Sequence, residues 1–309
     1  MKIDWLSLCV NMMRDSLHYN WGDVSSMYNF QKLSPHALAL VGLAYSENHH
    51  GYSHQDSLVI VLNSLGFGLR YDGTYELSLD CYKKALSLQE DTLSQFSHIR
   101  ATHYYNIAWL YEKLGDFDSA LVFYLRDLTI TEAAHGKEGI STAHTYNSLG
   151  TVYEKKQNYK KALSYLKRAL YIFKRELGEN GPAYSAVCNN IANVYANKQL
   201  YGQALIWHHK DLAVCENIHG KKHPETAISY TNLGLSYYSM GNPRLALDWY
   251  SKAISIRYEV LGDEHPDYEA VIRHAVQAYS AIEATLPFYE WLSSVIESGG
   301  EVDNGKQKS

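Results

Sequence analysis

A 42-residue period runs through most of this chain and restricts what it can fold into. Three series of residues keep this step: Gly66, Ala108, Gly150, Ala192 and Gly234, which we call the marker positions; Gly136, Gly178, Gly220 and Gly262; and Pro182, Pro224 and Pro266. A repeated unit of this kind cannot bury its apolar face alone and must stack on its neighbours. The period therefore predicts a solenoid of similar units.

Each unit reads as an amphipathic run, a tight turn and a second amphipathic run. In the unit that begins near residue 142, Leu149, Gly150 and Tyr153 lie in the first run, and Ala162 and Ala169 lie in the second. This pattern resembles the tetratricopeptide repeat (TPR). The greater length of the unit and its loops LGENGP, HGKKHP and LGDEHP are similar to the repeats of kinesin light chains. The resemblance implies an all-α fold, a right-handed TPR superhelix (α-solenoid) of antiparallel helix pairs.

The repeats divide the chain into four predicted segments. These are an N-terminal helix and degenerate capping repeat (1–54), five TPR-like repeats (55–266), C-terminal capping helices (267–297) and a disordered tail (298–309). Within the first segment we expect one helix over residues 2–18 and a helical pair over 23–32 and 35–48. The terminal caps are expected because an open solenoid end would expose apolar surface. The tail is expected because its residues cannot bury enough apolar surface to fold.

Composition narrows the function classes. The net charge of −5 and the pI near 6.3 argue against a nucleic acid or an anionic membrane as the main partner. No apolar run is long enough to suggest a membrane span, and the N-terminus does not read as a signal peptide. The four cysteines are isolated in the sequence. We therefore expect a cytoplasmic protein with reduced thiols.

Motifs for catalysis and for metal binding are lacking in the sequence. There is no Gly-rich phosphate loop, no G-x-S-x-G and no H-E-x-x-H. The fifteen histidines invite a metal hypothesis, but their spacing fits packing and loop hydrogen bonds better. We expect no enzyme activity, no cofactor and no metal site.

The TPR resemblance implies that ligand contacts come from the first helices of the pairs, which line the concave side of the superhelix. We carried the family's contact positions over to this chain by their distance from the marker positions. Most candidates lie three residues before or one residue after a marker position, and His144 lies six residues before Gly150. The candidate groove residues are Asn63, Phe67, Tyr105, Trp109, His144, Asn147, Thr151, Asn189, Asn193 and Thr231. Asn amides can pair with the backbone of an extended peptide, and Trp109 could hold an apolar side chain. Some of the Asn side chains could instead bridge neighbouring helices.

A second period of 84 residues lies above the first. Asp127 and Asp211 share one position in alternate units, where Ala85, Ala169 and Ala253 stand in the other units. An Asp in this position is either partly exposed or tied to a donor across the repeat interface. We interpret both residues as structural.

The sequence thus favours a non-catalytic interaction module that binds a peptide segment or partner protein in the concave groove. Basic residues on the predicted groove faces are few, which argues against a carboxylate clamp of the kind found in chaperone-binding TPR proteins. One alternative is a peptide-sensing regulator whose superhelix changes curvature on ligand binding. Another is a structural subunit of a larger complex. The partner and the oligomeric state stay open.

Overall fold

Helices account for most of the residues that the structure describes. The computed structural model describes residues 10–14, 17, 24–46, 55–89 and 98–300. Residues 10–14 are helical, and the longer helices are α1 (Val24–Ser46), α2 (Gln55–Tyr71), α3 (Tyr75–Leu88), α4 (His98–Lys113), α5 (Phe117–His135), α6 (Ile140–Lys155), α7 (Tyr159–Leu177), α8 (Pro182–Asn197), α9 (Tyr201–His219), α10 (Pro224–Ser239), α11 (Pro243–Leu261), α12 (Pro266–Ser280) and α13 (Phe288–Glu297). No residue within those ranges lies in a β-strand. The all-α prediction is confirmed.

The chain forms two compact units, Met1–Val152 and Tyr153–Ser309. In the first unit the pairs α2–α3 and α4–α5 pack together, and α3 contacts α4. In the second unit the pairs are α8–α9 and α10–α11, and α9 contacts α10. Each unit is therefore a stack of helix pairs, as expected for an α-solenoid.

The repeated glycines and prolines mark the ends of helices. Pro182, Pro224 and Pro266 each stand in the first turn of a helix, where a missing N–H costs no helical hydrogen bond. The residue after each of α5, α7, α9 and α11 is a glycine with φ between 76° and 83°. With ψ near 180°, this conformation is open almost only to glycine. The local sequence therefore sets both ends of these helices.

The marker positions face the second helix of their own pair. A Cβ added at Gly66 would lie 2.8 Å from the ring of Tyr82, and one added at Gly234 would lie 2.4 Å from the ring of Tyr250. Contacts this short leave room for glycine only, unless the ring moves. Gly66 and Gly234 are therefore points of close approach between the two helices of a pair.

Two expectations at the ends of the array were wrong. Residues 24–46 form one helix, α1, that continues through Pro35, in place of the predicted pair. Phe30 and Val41, on either side of the proline, are buried in the same apolar cluster as Leu62, and this packing holds both halves in line. Residues 298–300 also depart from the predicted tail, because Gly300 is buried and its carbonyl oxygen accepts a hydrogen bond from Ser251 Oγ at 3.0 Å.

Parts of these segments lie outside the described residues, namely 1–9, 15–16, 18–23, 47–54 and 301–309, and they include most of the helix predicted over residues 2–18. Among the helices that the structure does describe, none is both long and apolar enough to cross a membrane. The segment boundaries at 54 and 266 stay predictions.

Candidate functional site

The predicted groove residues all stand on the first helices of the pairs, α2, α4, α6, α8 and α10. Six of them, Asn63, Phe67, Tyr105, His144, Asn189 and Asn193, line one of four cavities. Two of these cavities belong to each compact unit. The first helices thus present a series of recesses within each unit.

The first recess, the Asn63 cavity, measures 310 Å³ and lies between α2 and α4. Phe67, Tyr82 and Thr102 contribute to its lining. Asn63 Oδ1 lies 2.8 Å from Nε2 of the buried His103. Asn63 therefore bridges two first helices, one of the two roles considered for the groove amides.

The second recess, the Asp127 cavity, measures 480 Å³ and is lined by α4, α5 and α6. The groove candidates Tyr105 and His144 lie in its wall, and burial lowers the pKa of His144. Asp127 is only 2% exposed, and its Oδ2 accepts a hydrogen bond from Thr145 Oγ1 at 2.6 Å. Burial raises the pKa of this carboxyl to about 6.

Trp109 stands in a cluster of cations and rings. The Arg70 guanidinium lies 4.7 Å from the centre of the Trp109 ring, and the Lys113 ammonium lies 5.0 Å from it. Tyr75 meets the same indole edge to face at 5.9 Å, and Arg70 also bonds to Asn106. Trp109 is therefore covered by positive charge, which the prediction of an apolar anchor did not include.

In the second unit, the Asn193 cavity measures 460 Å³ and is mainly polar. The side chain of Glu154 is largely buried. It accepts a hydrogen bond from Asn197 Nδ2, and its Oε2 forms an ion pair with Lys155 Nζ at 3.4 Å. His208 also lines the cavity. It is 2% exposed, its Nδ1 accepts or donates no hydrogen bond within the described part of the chain, and burial lowers its pKa to about 4.

The Asp211 cavity is the equivalent of the Asp127 cavity, 84 residues later, and measures 250 Å³. Asp211 accepts hydrogen bonds from Ser185 Oγ at 2.5 Å and from Ser229 Oγ at 2.7 Å. Asn189 lies in the wall of this cavity, and its Oδ1 accepts a bond from Asn232 at 2.9 Å. Asn189, like Asn63, bridges two first helices.

The other groove candidates stand apart from the four cavities. Thr151 and Thr231 donate their hydroxyl groups to carbonyl oxygens of their own helices, Ser148 O and Ala227 O. Asn147 is half-buried on α6.

Sequence reasoning did not place the two aspartates in the recesses. Both carboxylates accept hydrogen bonds from hydroxyl groups across the repeat interface. The prediction that these aspartates are tied to such a donor is therefore confirmed, and the alternative that they are partly exposed is wrong. A further signal was present, because Thr145 and Ser229 each follow the aspartate by 18 residues. Within the described part of the chain, no three His, Cys, Asp or Glu side chains are grouped so that they could hold a metal ion.

Comparison with known proteins identifies the architecture. The model of the tetratricopeptide repeat family matches residues 57–133, 123–175, 141–196 and 184–259. No curated protein matches the sequence significantly.

Solved structures with the same fold come from several proteins. BtubC (BKLC) from P. vanneervenii is 22% identical with a TM-score of 0.56, over 83% of this chain and 93% of that one. A protein from Podosopora anserina described as a kinesin light chain with nearly identical TPR-like repeats is 18% identical with a TM-score of 0.54, over 64% and 94%. A Rap protein complexed with competence and sporulation factor is 16% identical with a TM-score of 0.59, over 95% and 76%.

Proposed function

The chain belongs to the tetratricopeptide repeat family, with repeats that resemble those of kinesin light chains, and we propose that it is a non-catalytic module that binds an extended segment of a partner protein. The binding surface is formed by the first helices of the pairs. The observation that carries this proposal is the pair of recesses on the first helices of each unit, whose walls contain Asn63 and Tyr105 in the first unit and Asn189 and Asn193 in the second. Such walls offer hydrogen-bond donors and acceptors to a peptide backbone.

Within this surface, individual residues have different roles. Asn193 has no hydrogen-bond partner among the described residues, so both its donor and its acceptor are open to a ligand. Asn63 and Asn189 hold neighbouring helices together, and their amide N–H groups are the part left for a ligand. Trp109, covered by Arg70 and Lys113, offers a ring edge flanked by positive charge. This part of the first unit suits an acidic or an aromatic side chain of the ligand.

The test uses the partner captured by affinity purification and identified by mass spectrometry. Its binding is then titrated by calorimetry. Asn193→Ala removes an amide without breaking an internal hydrogen bond, and we expect binding to weaken about tenfold, the effect of about 1.4 kcal/mol. Trp109→Ala is expected to weaken binding by a similar factor or more.

The matched control is Lys167→Ala, an exposed position on α7, the second helix of its pair. We expect this variant to bind as the wild type does. If Lys167→Ala weakens binding and both first-helix variants do not, the partner binds the second helices and the proposal is wrong. Thermal melts of all three variants separate a loss of binding from a loss of folding.

A second candidate is a regulator that senses a peptide. The similarity to a Rap protein complexed with competence and sporulation factor, which extends over 95% of this chain, favours it. A short peptide that co-purifies with the chain would support the regulator, and a stoichiometric protein would support the interaction module. We place the protein in the cytoplasm, where the free thiols of Cys81, Cys188 and Cys215 would stay reduced.

A further inference from the structure

The Asp127 and Asp211 cavities are two copies of one site, and their differences are informative. In the Asp211 cavity both carboxylate oxygens are engaged, Oδ1 by Ser185 and Oδ2 by Ser229. In the Asp127 cavity the residue equivalent to Ser229 is Thr145, which bonds to Oδ2. The residue equivalent to Ser185 is Ala101, which has no hydroxyl group.

As a result, Asp127 Oδ1 accepts no hydrogen bond from the described residues, although Asp127 is only 2% exposed. A thiol contact also distinguishes the two sites. Cys215 Sγ lies 3.7 Å from Asp211 Oδ1, whereas the equivalent residue in the Asp127 cavity, Thr131, donates its hydroxyl group to Leu128 O of its own helix. Asp127 lines a cavity of 480 Å³, whereas the equivalent cavity at Asp211 measures 250 Å³.

The charge of Asp127 is also uncompensated. The titratable groups that line the cavity are Tyr105 from α4, His135 from α5 and His144 from α6, and none of the lining residues is a lysine or an arginine. Burial raises the pKa of the Tyr105 phenol and lowers that of the His144 imidazole, so both stay neutral near pH 7. A buried carboxylate without a cation is costly unless something supplies one.

We propose that the Asp127 cavity binds the cationic end of a ligand, an ammonium or guanidinium group, which donates a hydrogen bond to Asp127 Oδ1 where Ser185 donates to Asp211. This inference rests on the proposed function, since the source that fits a binding surface for peptides is a lysine or arginine side chain of the bound segment. A free amine offers the same chemistry. A charge-assisted bond of this kind is roughly twice as strong as a neutral one.

The direct test titrates the Asp127 carboxyl carbon by ¹³C NMR in the full chain, with Asp127→Asn for assignment. The probe is n-butylammonium chloride at about 100 mM, against sodium chloride at equal ionic strength. A cation bound to the ionised form lowers the pKa of the carboxyl. Linkage between binding and ionisation therefore predicts that the Asp127 pKa in n-butylammonium chloride is lower than in sodium chloride by roughly half a unit or more. Identical titrations in the two salts would overturn the proposal.

Ala101→Ser is the matched variant, because it supplies the hydroxyl group that the second copy of the site already has. We expect this variant to fold, to show a lower Asp127 pKa in sodium chloride, and to lose the response to n-butylammonium. A response that persists unchanged in Ala101→Ser would place the cation elsewhere and contradict the assignment.

A second arm identifies the source and separates this inference from the proposed function. Random 12-residue peptides are displayed and selected on the wild-type chain. If a basic side chain fills the cavity, the selected peptides contain Lys or Arg. Replacing that Lys or Arg by norleucine is then expected to weaken binding to the wild type at least about tenfold, but to have little effect on binding to the Ala101→Ser variant. A response to n-butylammonium without any selected peptide would support the cation site with a free amine as its source, and would count against the proposed function alone.

Discussion

At the residue scale, this protein contains polar side chains that are buried without full hydrogen bonding. His208 on α9 occupies a position that is filled by Tyr124 on α5, Leu166 on α7 and Tyr250 on α11. It is buried, and its Nδ1 has no hydrogen-bond partner among the described residues. A buried unpartnered nitrogen costs roughly 1–3 kcal/mol, so this histidine lowers the stability of the second unit.

The first prediction concerns the pH dependence that His208 causes. Its pKa in the folded state is about 4, below the ordinary value of 6.5. The free energy of unfolding is therefore unaffected by this titration above pH 6.5 and decreases as the pH falls from 6.5 toward 4, because the unfolded chain binds the proton first. We expect His208→Leu to raise the free energy of unfolding and to remove up to about 1.4 kcal/mol per pH unit of slope within this window.

Denaturant unfolding at a series of pH values from 4 to 7 measures both effects. Wild type and variant differ at this one site, so the difference between their profiles isolates His208 from other titrating groups. Profiles that run parallel over the whole range would show that His208 does not set the acid sensitivity.

At the element scale, the helix pairs repeat their turns as faithfully as their helices. The residue that closes the turn between first and second helix has positive φ in five consecutive pairs: Gly73, Gly115, Gln157, Gln199 and Gly241, each 42 residues after the last. Glycine adopts this conformation freely, whereas a side chain makes it unfavourable by roughly 1–2 kcal/mol. The two glutamines are therefore strained by the geometry of the pair.

The second prediction is that Gln199→Gly raises the melting temperature by about 1–3 °C, since relief of the strain exceeds the added flexibility of the unfolded chain. The matched control is Lys198→Gly. Its φ is −81°, so glycine there brings only flexibility, and we expect a lower melting temperature. Calorimetric melts of the two variants give the comparison, and a fall for both would contradict a strained turn at Gln199.

At the scale of the whole molecule, each unit has its own apolar core, and the second core closes at its C-terminal end. Trp291 on α13 is 1% exposed and packs with Tyr279 and Phe288 on the end of the array. Behind it lie Tyr250 and Ala275, both fully buried. We propose that α12 and α13 form the cap that keeps water from this core.

The third prediction tests this cap. Trp291→Ala is expected to destabilise the protein by about 3–5 kcal/mol, the usual cost of truncating a buried aromatic residue. Tyr289→Ala, two residues away on the same helix but 67% exposed, is expected to change stability by less than about 0.5 kcal/mol. Urea unfolding of both variants measures the difference, and equal effects would mean that α13 does not cover the core.

The sequence alone determined the features that are local. A helix end depends on φ, on a missing N–H or on a side chain a few residues away, so Pro182 and Gly178 could be placed without knowledge of the rest of the chain. The register of Gly234 against Tyr250 also followed from the repeat, because a strict period fixes which face each helix buries.

The tertiary structure decided the features that depend on neighbours distant in sequence. It showed that Asn63 bonds to His103, that Arg70 covers Trp109, and that one oxygen of Asp127 accepts no hydrogen bond from any residue the structure describes. Each of these depends on distances of a few ångströms between side chains on different helices. A single sequence with a regular period predicts which helices meet, but not which polar atoms on them come within hydrogen-bonding distance.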